Sequence, residues 1–325
     1  MKQLVNISNL SYDREKYFAG DVAGNLPPFL LRHGLAGLEL MICGEYDPVA
    51  YPAEYVQGVH LRFWPTWYHF YRGDLAAAGR RLAAGLQPAA YYEAATPAAW
   101  VELWRHNIRQ AVRAGAQYVV FHVAECAVGE IYHRRHTVDS AAVIAAAAEL
   151  INQITPELPE SIAFLAENIW WPGLTLTDPA LARELLDRLE HKNSGLCLDT
   201  GHLLATDWSL RTQEQGMDYI CRRLDALGEL AGRVKTVHLH QSLSGAYAAQ
   251  RAAAADDSVP DIYQGMDYIS RIDTHAPVTT PRVARLFDFV APDFLVHEFL
   301  PADTAAWERM LDTQQTALRE GKCYE

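Results

Sequence analysis

Lysine is scarce in this chain: five stand among 325 residues, and the formal charge at neutral pH is −12. Such an acidic balance gives no electrostatic welcome to nucleic acid or to an anionic membrane. Bound divalent cations would still invert the field locally. The five cysteines (Cys43, Cys126, Cys197, Cys221 and Cys323) are odd in number and contain no CxxC pair. They suit a reducing cytosol rather than a disulfide framework. No apolar run approaches the length that crosses a bilayer. The opening MKQLVNISNLSYD runs straight into a strand-like segment instead of a secretory leader, so a cytoplasmic location is expected. A Gly-rich phosphate fingerprint after the first strand is also missing, which disfavours an open doubly wound sheet.

What is present is a regular alternation. Strand-like apolar runs lie near 3–8, 35–42, 58–64, 116–123, 161–168, 194–199, 233–239 and 293–299, with helix-like segments between them. Near-continuous apolar runs are the signature of buried parallel strands. Eight of them with intervening helices close into a single α/β domain, a (β/α)8 barrel over residues 1–325. Thr96-Pro97 and Asp178-Pro179 offer helix caps with proline at the first helical position, and Asp303 opens the last helix. Gly34, Gly115 and Gly321 stand where helices should stop. Two stretches break the rhythm, FWPTWYHFYRGD at 63–74 after strand 3 and the segment 241–272 after strand 7. Both are expected to be elaborated loops at the functional mouth.

Nine potential metal ligands stand at or just past the ends of these runs: His60, His122, Glu167, Asp199, His202, His238, Asp273, His275 and Glu298. In a barrel those ends face one mouth, so distant residues can converge there. Asp199 and His202 lie one turn apart in SGLCLDTGHLLATD, although Asp199 also reads as a plain helix N-cap. Glu167 in FLAENIWWPG and Glu298 in LVHEFLP end apolar strands, where an unpaired carboxylate costs several kcal/mol, roughly. His238 and His240 share a face of VKTVHLHQS; His238 is the expected ligand and His240 the expected substrate contact or orienting group. Asp273-Thr274-His275 alone would more simply be a surface turn. His297 should face away from Glu298, by strand alternation, and is read as structural. His33, His69, His106, His133, His136 and His191 are left as surface or packing residues. A donor set without thiolate suits zinc, manganese, iron or cobalt. One ion takes four to six ligands, so nine imply two or three ions, about 3.5 to 4 Å apart.

The pattern resembles the xylose-isomerase-like TIM barrel superfamily of sugar isomerases, sugar epimerases and apurinic endonucleases. GLELM at 37–41, AEN at 166–168, LDTGH at 198–202, HLHQS at 238–242 and HEF at 297–299 carry the resemblance. It implies a four-ligand core at Glu167, Asp199, His238 and Glu298. The endonuclease branch adds ligands matching His60, His122, His202, Asp273 and His275, and holds three zinc ions. Gln241 departs from the aspartate often found there, and the 241–272 segment is longer than that branch suggests. HLRFWPTW with this metal set is similar to the cobamide-remodelling phosphodiesterases, which cleave the nucleotide loop of B12-type corrinoids and release a cobinamide phosphate. Glu167 and Glu298 are then the expected catalytic residues. Arg62, Trp64, Trp67, Tyr68, Trp170, Trp171 and His240 form the expected surface for a small-molecule substrate, which the resemblance implies is a corrinoid. The competing reading is a one-ion sugar isomerase or epimerase with Glu167 and Glu298 as acid and base. A DNA repair endonuclease fits the charge less well.

Overall fold

The computed structural model describes residues 1–256 and 258–322; Cys323 lies outside the described residues. The eight apolar runs form eight parallel strands: β1 (Lys2–Ser8), β2 (Gly37–Met41), β3 (Val56–His60), β4 (Tyr118–His122), β5 (Ala163–Glu167), β6 (Ser194–Asp199), β7 (Val234–Leu239) and β8 (Phe294–His297). They close in sequence order, β8 pairing back onto β1 through Leu4 and Val296. Six α-helices cover the outside: Val22–His33, Pro97–Arg113, Ser140–Ile154, Pro179–Arg188, Gln213–Leu227 and Thr304–Lys322.

The layer around the barrel departs from plain α-helix twice. Between β2 and β3 there is only a 3-10 turn, Ala53–Tyr55, and the eight residues Pro281–Asp288 form a 3-10 segment ahead of β8. Pro48 and Pro52 explain the first exception. Each removes a backbone donor and pushes its predecessor towards extended conformations, so DPVAYP cannot wind. Elsewhere the capping signals hold: Thr96 accepts from the Ala99 amide and Asp178 from the Ala180 amide. Gly34 and Gly115 leave their helices in left-handed backbone. Gly321 does not stop its helix, which runs on to Lys322. It is required for a close approach, because a Cβ there would lie 2.3 Å from the Pro281 carbonyl oxygen.

Period two along the strands sorts side chains into the barrel or towards the helices. The interior is filled at its base by Leu4, Tyr118, Val120, Leu165, Cys197, Phe294 and Val296. Burying an aliphatic side chain of this kind stabilises the fold by about 1.5–3 kcal/mol. Tyr118 reaches across β3 at Gly58, where a Cβ would sit 2.1 Å from its ring. Its phenol donates to Glu39 Oε2 at 2.8 Å, linking the apolar base to the polar layer above. The 63–74 stretch contains one short helix, Tyr68–Tyr71, and its last residue, Asp74, caps a second, Leu75–Arg80. Residues 241–272 form a pair, Gly245–Ala254 and Ile262–Ile272. No helix among the described residues is long and apolar enough to cross a membrane.

Candidate metal centre

Six strands bring polar side chains to the carboxyl end of the barrel interior. Neighbouring strands align His122 with Glu167 and Asp199 with His238. Three more donors come from connections. Asp199 caps the short helix Thr200–Ala205, its Oδ1 accepting from the His202 amide at 2.6 Å. Both readings of Asp199 therefore hold, because the cap bond is what turns His202 back over the barrel. The helix Ile262–Ile272 ends at Asp273, and His275 follows in left-handed backbone at φ 45. For a non-glycine residue that conformation is uncommon and points to a local constraint.

All nine expected ligands meet in one contiguous cluster. Glu167 Oε2 lies 3.1 Å from both His60 Nε2 and His122 Nε2. Its Oε1 lies 3.3 Å from His202 Nδ1 and from His238 Nδ1. His238 Nδ1 is also 3.0 Å from Glu298 Oε2 and 3.9 Å from Asp199 Oδ2. On the other side Asp273 Oδ2 approaches His275 Nε2 at 2.8 Å and His202 Nε2 at 3.1 Å. Four donor groups result: His60, His122 and Glu167; Glu167, Asp199, His238 and Glu298; Glu167, Cys197 and His238; His240, Asp273 and His275. Glu167 belongs to the first three.

The second nitrogen of each imidazole identifies what these groups suit. His60 Nδ1 lies 2.7 Å from the Leu61 carbonyl and His202 Nδ1 2.9 Å from that of Asn168. His238 Nε2 lies 3.0 Å from Glu39, and His275 Nδ1 3.3 Å from the Glu298 carbonyl. Those oxygens only accept, so each of these nitrogens carries the proton. The other nitrogen faces a carboxylate oxygen, so it must either take a second proton or give its lone pair to a cation lying between. Glu167 Oε1, His238 Nδ1, Glu298 Oε2 and both nitrogens of His122 are buried without a hydrogen-bond partner. Buried polar atoms are seldom left so. The donor set therefore fits divalent cations.

Titration follows the same geometry. Burial favours neutral forms, yet His122 and His238 outweigh it and hold the Glu167 carboxyl well below the usual range. His202 is pushed well above the ordinary histidine value, Asp199 and Asp273 overcoming its burial. For His275 burial is again the opposing influence, and Asp273 raises it to about 9. His122 goes the other way, because burial lowers it more than Glu167 raises it.

The expected substrate surface is placed differently. Trp64 and Trp67 are buried; their indole N–H groups donate to the carbonyls of Tyr91 and Ala124, and their rings pack on Trp100. Arg62 turns to Glu93 and lies over the Trp64 ring, while Tyr68 sits beside Trp67 and Arg72. These rings close the core under the β3–β4 connection instead of lining the mouth. Trp171 is buried too; Trp170 is the nearer of the pair, edge-on to His202 at 5.2 Å. His240 is fully buried rather than facing a substrate, with Nε2 2.9 Å from Asp199 Oδ2 and its ring stacked on His275 at 4.3 Å. Gly201 makes room for it, since a Cβ there would lie 2.0 Å from the imidazole. His297 faces outward between Gln3 and Gln314, as alternation requires.

Glu39 was not among the expected residues. A lone carboxylate inside the apolar run GLELM is the same signal that exposed Glu167, and it orients His238. Above the cluster a cavity of about 270 Å³ opens between Asn6, Tyr17, Met41, His122, His275 and Phe299.

Comparison with known proteins agrees with this architecture. Residues 56–279 match the family described as Xylose isomerase-like TIM barrel. No curated protein matches the chain. Endonuclease IV from Thermus thermophilus aligns at 18% identity over 98% of this chain and 100% of its own, with a TM-score of 0.49. A D-tagatose 3-epimerase-like protein aligns at 15% over 99% and 98%, TM-score 0.51. The IOLI protein with a binding zinc atom aligns at 11% over 100% and 99%, TM-score 0.52. At such identities the likeness establishes the fold and leaves the reaction open. The matched region carries every candidate ligand from His60 to His275, and the chain belongs to the xylose isomerase-like TIM-barrel family.

Proposed function

We propose that the chain is a metal-dependent phosphodiester hydrolase acting on a small or medium organic substrate, the nucleotide loop of a B12-type corrinoid being the best specific choice. The number of donors carries this reading. Glu167, Asp199, His238 and Glu298 suffice for one ion, and a one-ion sugar isomerase would leave His60–His122 and His240–Asp273–His275 without a task. Two or three divalent ions, zinc first and manganese, iron or cobalt as alternatives, would supply Lewis acidity towards the phosphoryl oxygens when bound.

The remaining work falls to the protein. Glu298, next to the mouth cavity, would orient a water and accept its proton. Glu167, fully buried, would fix the donor groups that contain it relative to one another. Glu39 and the carbonyls of Leu61 and Asn168 hold His238, His60 and His202 in one tautomer each. The small cavity and the net charge of −12 favour a small phosphodiester over a DNA duplex. With Trp64 and Trp67 in the core, Phe63, Trp170 and Phe299 remain as aromatic contacts for a bulky substrate.

Incubating the metal-loaded protein with cobalamin tests the assignment, the expected product being a cobinamide phosphate. Two or three ions per chain are expected by elemental analysis. His122→Ala and His275→Ala should each abolish hydrolysis; full activity in both would refute the multi-ion reading. A single ion together with ketose epimerisation would establish the isomerase instead.

A further inference from the structure

Beside the metal cluster lies a second cavity, of about 490 Å³, to which the reading above gives no role. Trp170 separates the two, since it lines this cavity while standing edge-on to His202 at 5.2 Å. Its walls come from three βα connections: His133 and Arg134 after β4, Trp170 and Trp171 after β5, and Thr206 to Trp208 after β6. Tyr219, Arg223 and Tyr268 complete it.

Two properties of the wall specify a ligand. The first is flat aromatic surface: three indoles and two phenols surround one space. Trp171 is buried and its indole N–H has no partner. The second is charge. Arg134 donates to the Thr206 carbonyl at 2.8 Å and lies 4.2 Å over the Trp208 ring. Arg223 lies 4.9 Å over Tyr219. Among the described residues neither is in an ion pair, and Asp207 is the single carboxylate in the wall. In a chain of charge −12, two guanidinium groups against one carboxylate form a local anion-attracting site.

We propose that this cavity is a subsite for a flat aromatic group bearing negative charge, a mononucleotide-like ligand held beside the metal cluster. It goes beyond the hydrolase assignment and does not depend on it. Trp208 and Trp170 would take the aromatic ring between them, Arg134 and Arg223 the charge, and the Trp171 N–H a polar edge of the ring.

Adenosine 5′-monophosphate, adenosine and inorganic phosphate serve as probes, with binding to the metal-loaded protein read by equilibrium dialysis. The monophosphate should bind about ten-fold more tightly than either fragment, since stacking and charge act together. Trp208→Ala and Arg134→Gln should each weaken it about ten-fold. Both change partly or fully exposed side chains, and a circular dichroism melt checks that the fold is kept. Arg32→Gln, in an exposed pair with Glu308 away from both cavities, should leave monophosphate binding unaltered. Wild-type binding by both cavity variants, or an equal loss in Arg32→Gln, would overturn the subsite. If the monophosphate binds as described but no phosphodiester is cleaved, the hydrolase assignment falls and the cavity stands.

Discussion

The two ends of the barrel interior are built on the same strands and the same alternation, yet share almost no chemistry. Its base holds Leu4, Tyr118, Val120, Leu165, Phe294 and Val296, which close-pack with one another. One or two strand positions higher, the inward residues are Glu39, His60, His122, Glu167, Asp199 and His238, several with unpartnered atoms. The contrast teaches that stability and function are separated by height along the barrel axis. The base can give the fold its order because the top has been released from packing well.

Glu167→Gln should break the comparison most severely. It removes a donor common to three of the four donor groups, and kcat/KM should fall about 10³-fold or more, with metal content reduced, because these groups are disrupted together. Unaltered turnover and metal content would refute its role. Phe294→Ala at the base should show the converse, a loss of about 3–5 kcal/mol in urea unfolding with metal content preserved. Trp64→Ala sharpens the boundary between core and mouth. Since the indole is buried on Trp100 and Trp104, the variant should lose about 3 kcal/mol of stability with KM unchanged. A raised KM at wild-type stability would return Trp64 to the substrate surface.

The smallest expected effect concerns pH. Burial, with His33 adding to it, pushes His297 down to about 3. An unfolded chain protonates this histidine near pH 6.5, so between those values the unfolded state binds more protons. The contribution of neutral His297 is therefore complete above about pH 6.5 and is lost as pH falls, about 2 kcal/mol of it by pH 5. Urea midpoints at pH 7.5 and 5 should differ less in His297→Asn than in the wild type, and equal differences would exclude the assignment.

How legible this was in the sequence depended on the kind of signal. The strands could be read because a buried parallel strand must be apolar on both faces, as YVVFH and SGLCLD are. Ligands at their ends followed, since barrel geometry collects strand ends whatever their spacing in sequence. Trp64 and Trp67 were misplaced because a ring just past a strand end can turn towards the mouth or under the next helix, and only the packing on Trp100 decides. The missing helix between β2 and β3 was signalled by Pro48 and Pro52 but overridden by the regular rhythm around it. The second cavity had no linear signature at all, because its walls come from three connections that meet only in space.

The contact between Tyr118 and Gly58 carries a consequence for variation in the chain. The phenol that needs the bare glycine also holds Glu39, and Glu39 in turn holds the outer nitrogen of His238. A single methyl group introduced at residue 58 would thus be felt as a rotated imidazole at the opposite pole. A lesion that looks like a floor defect would be inherited as lost turnover.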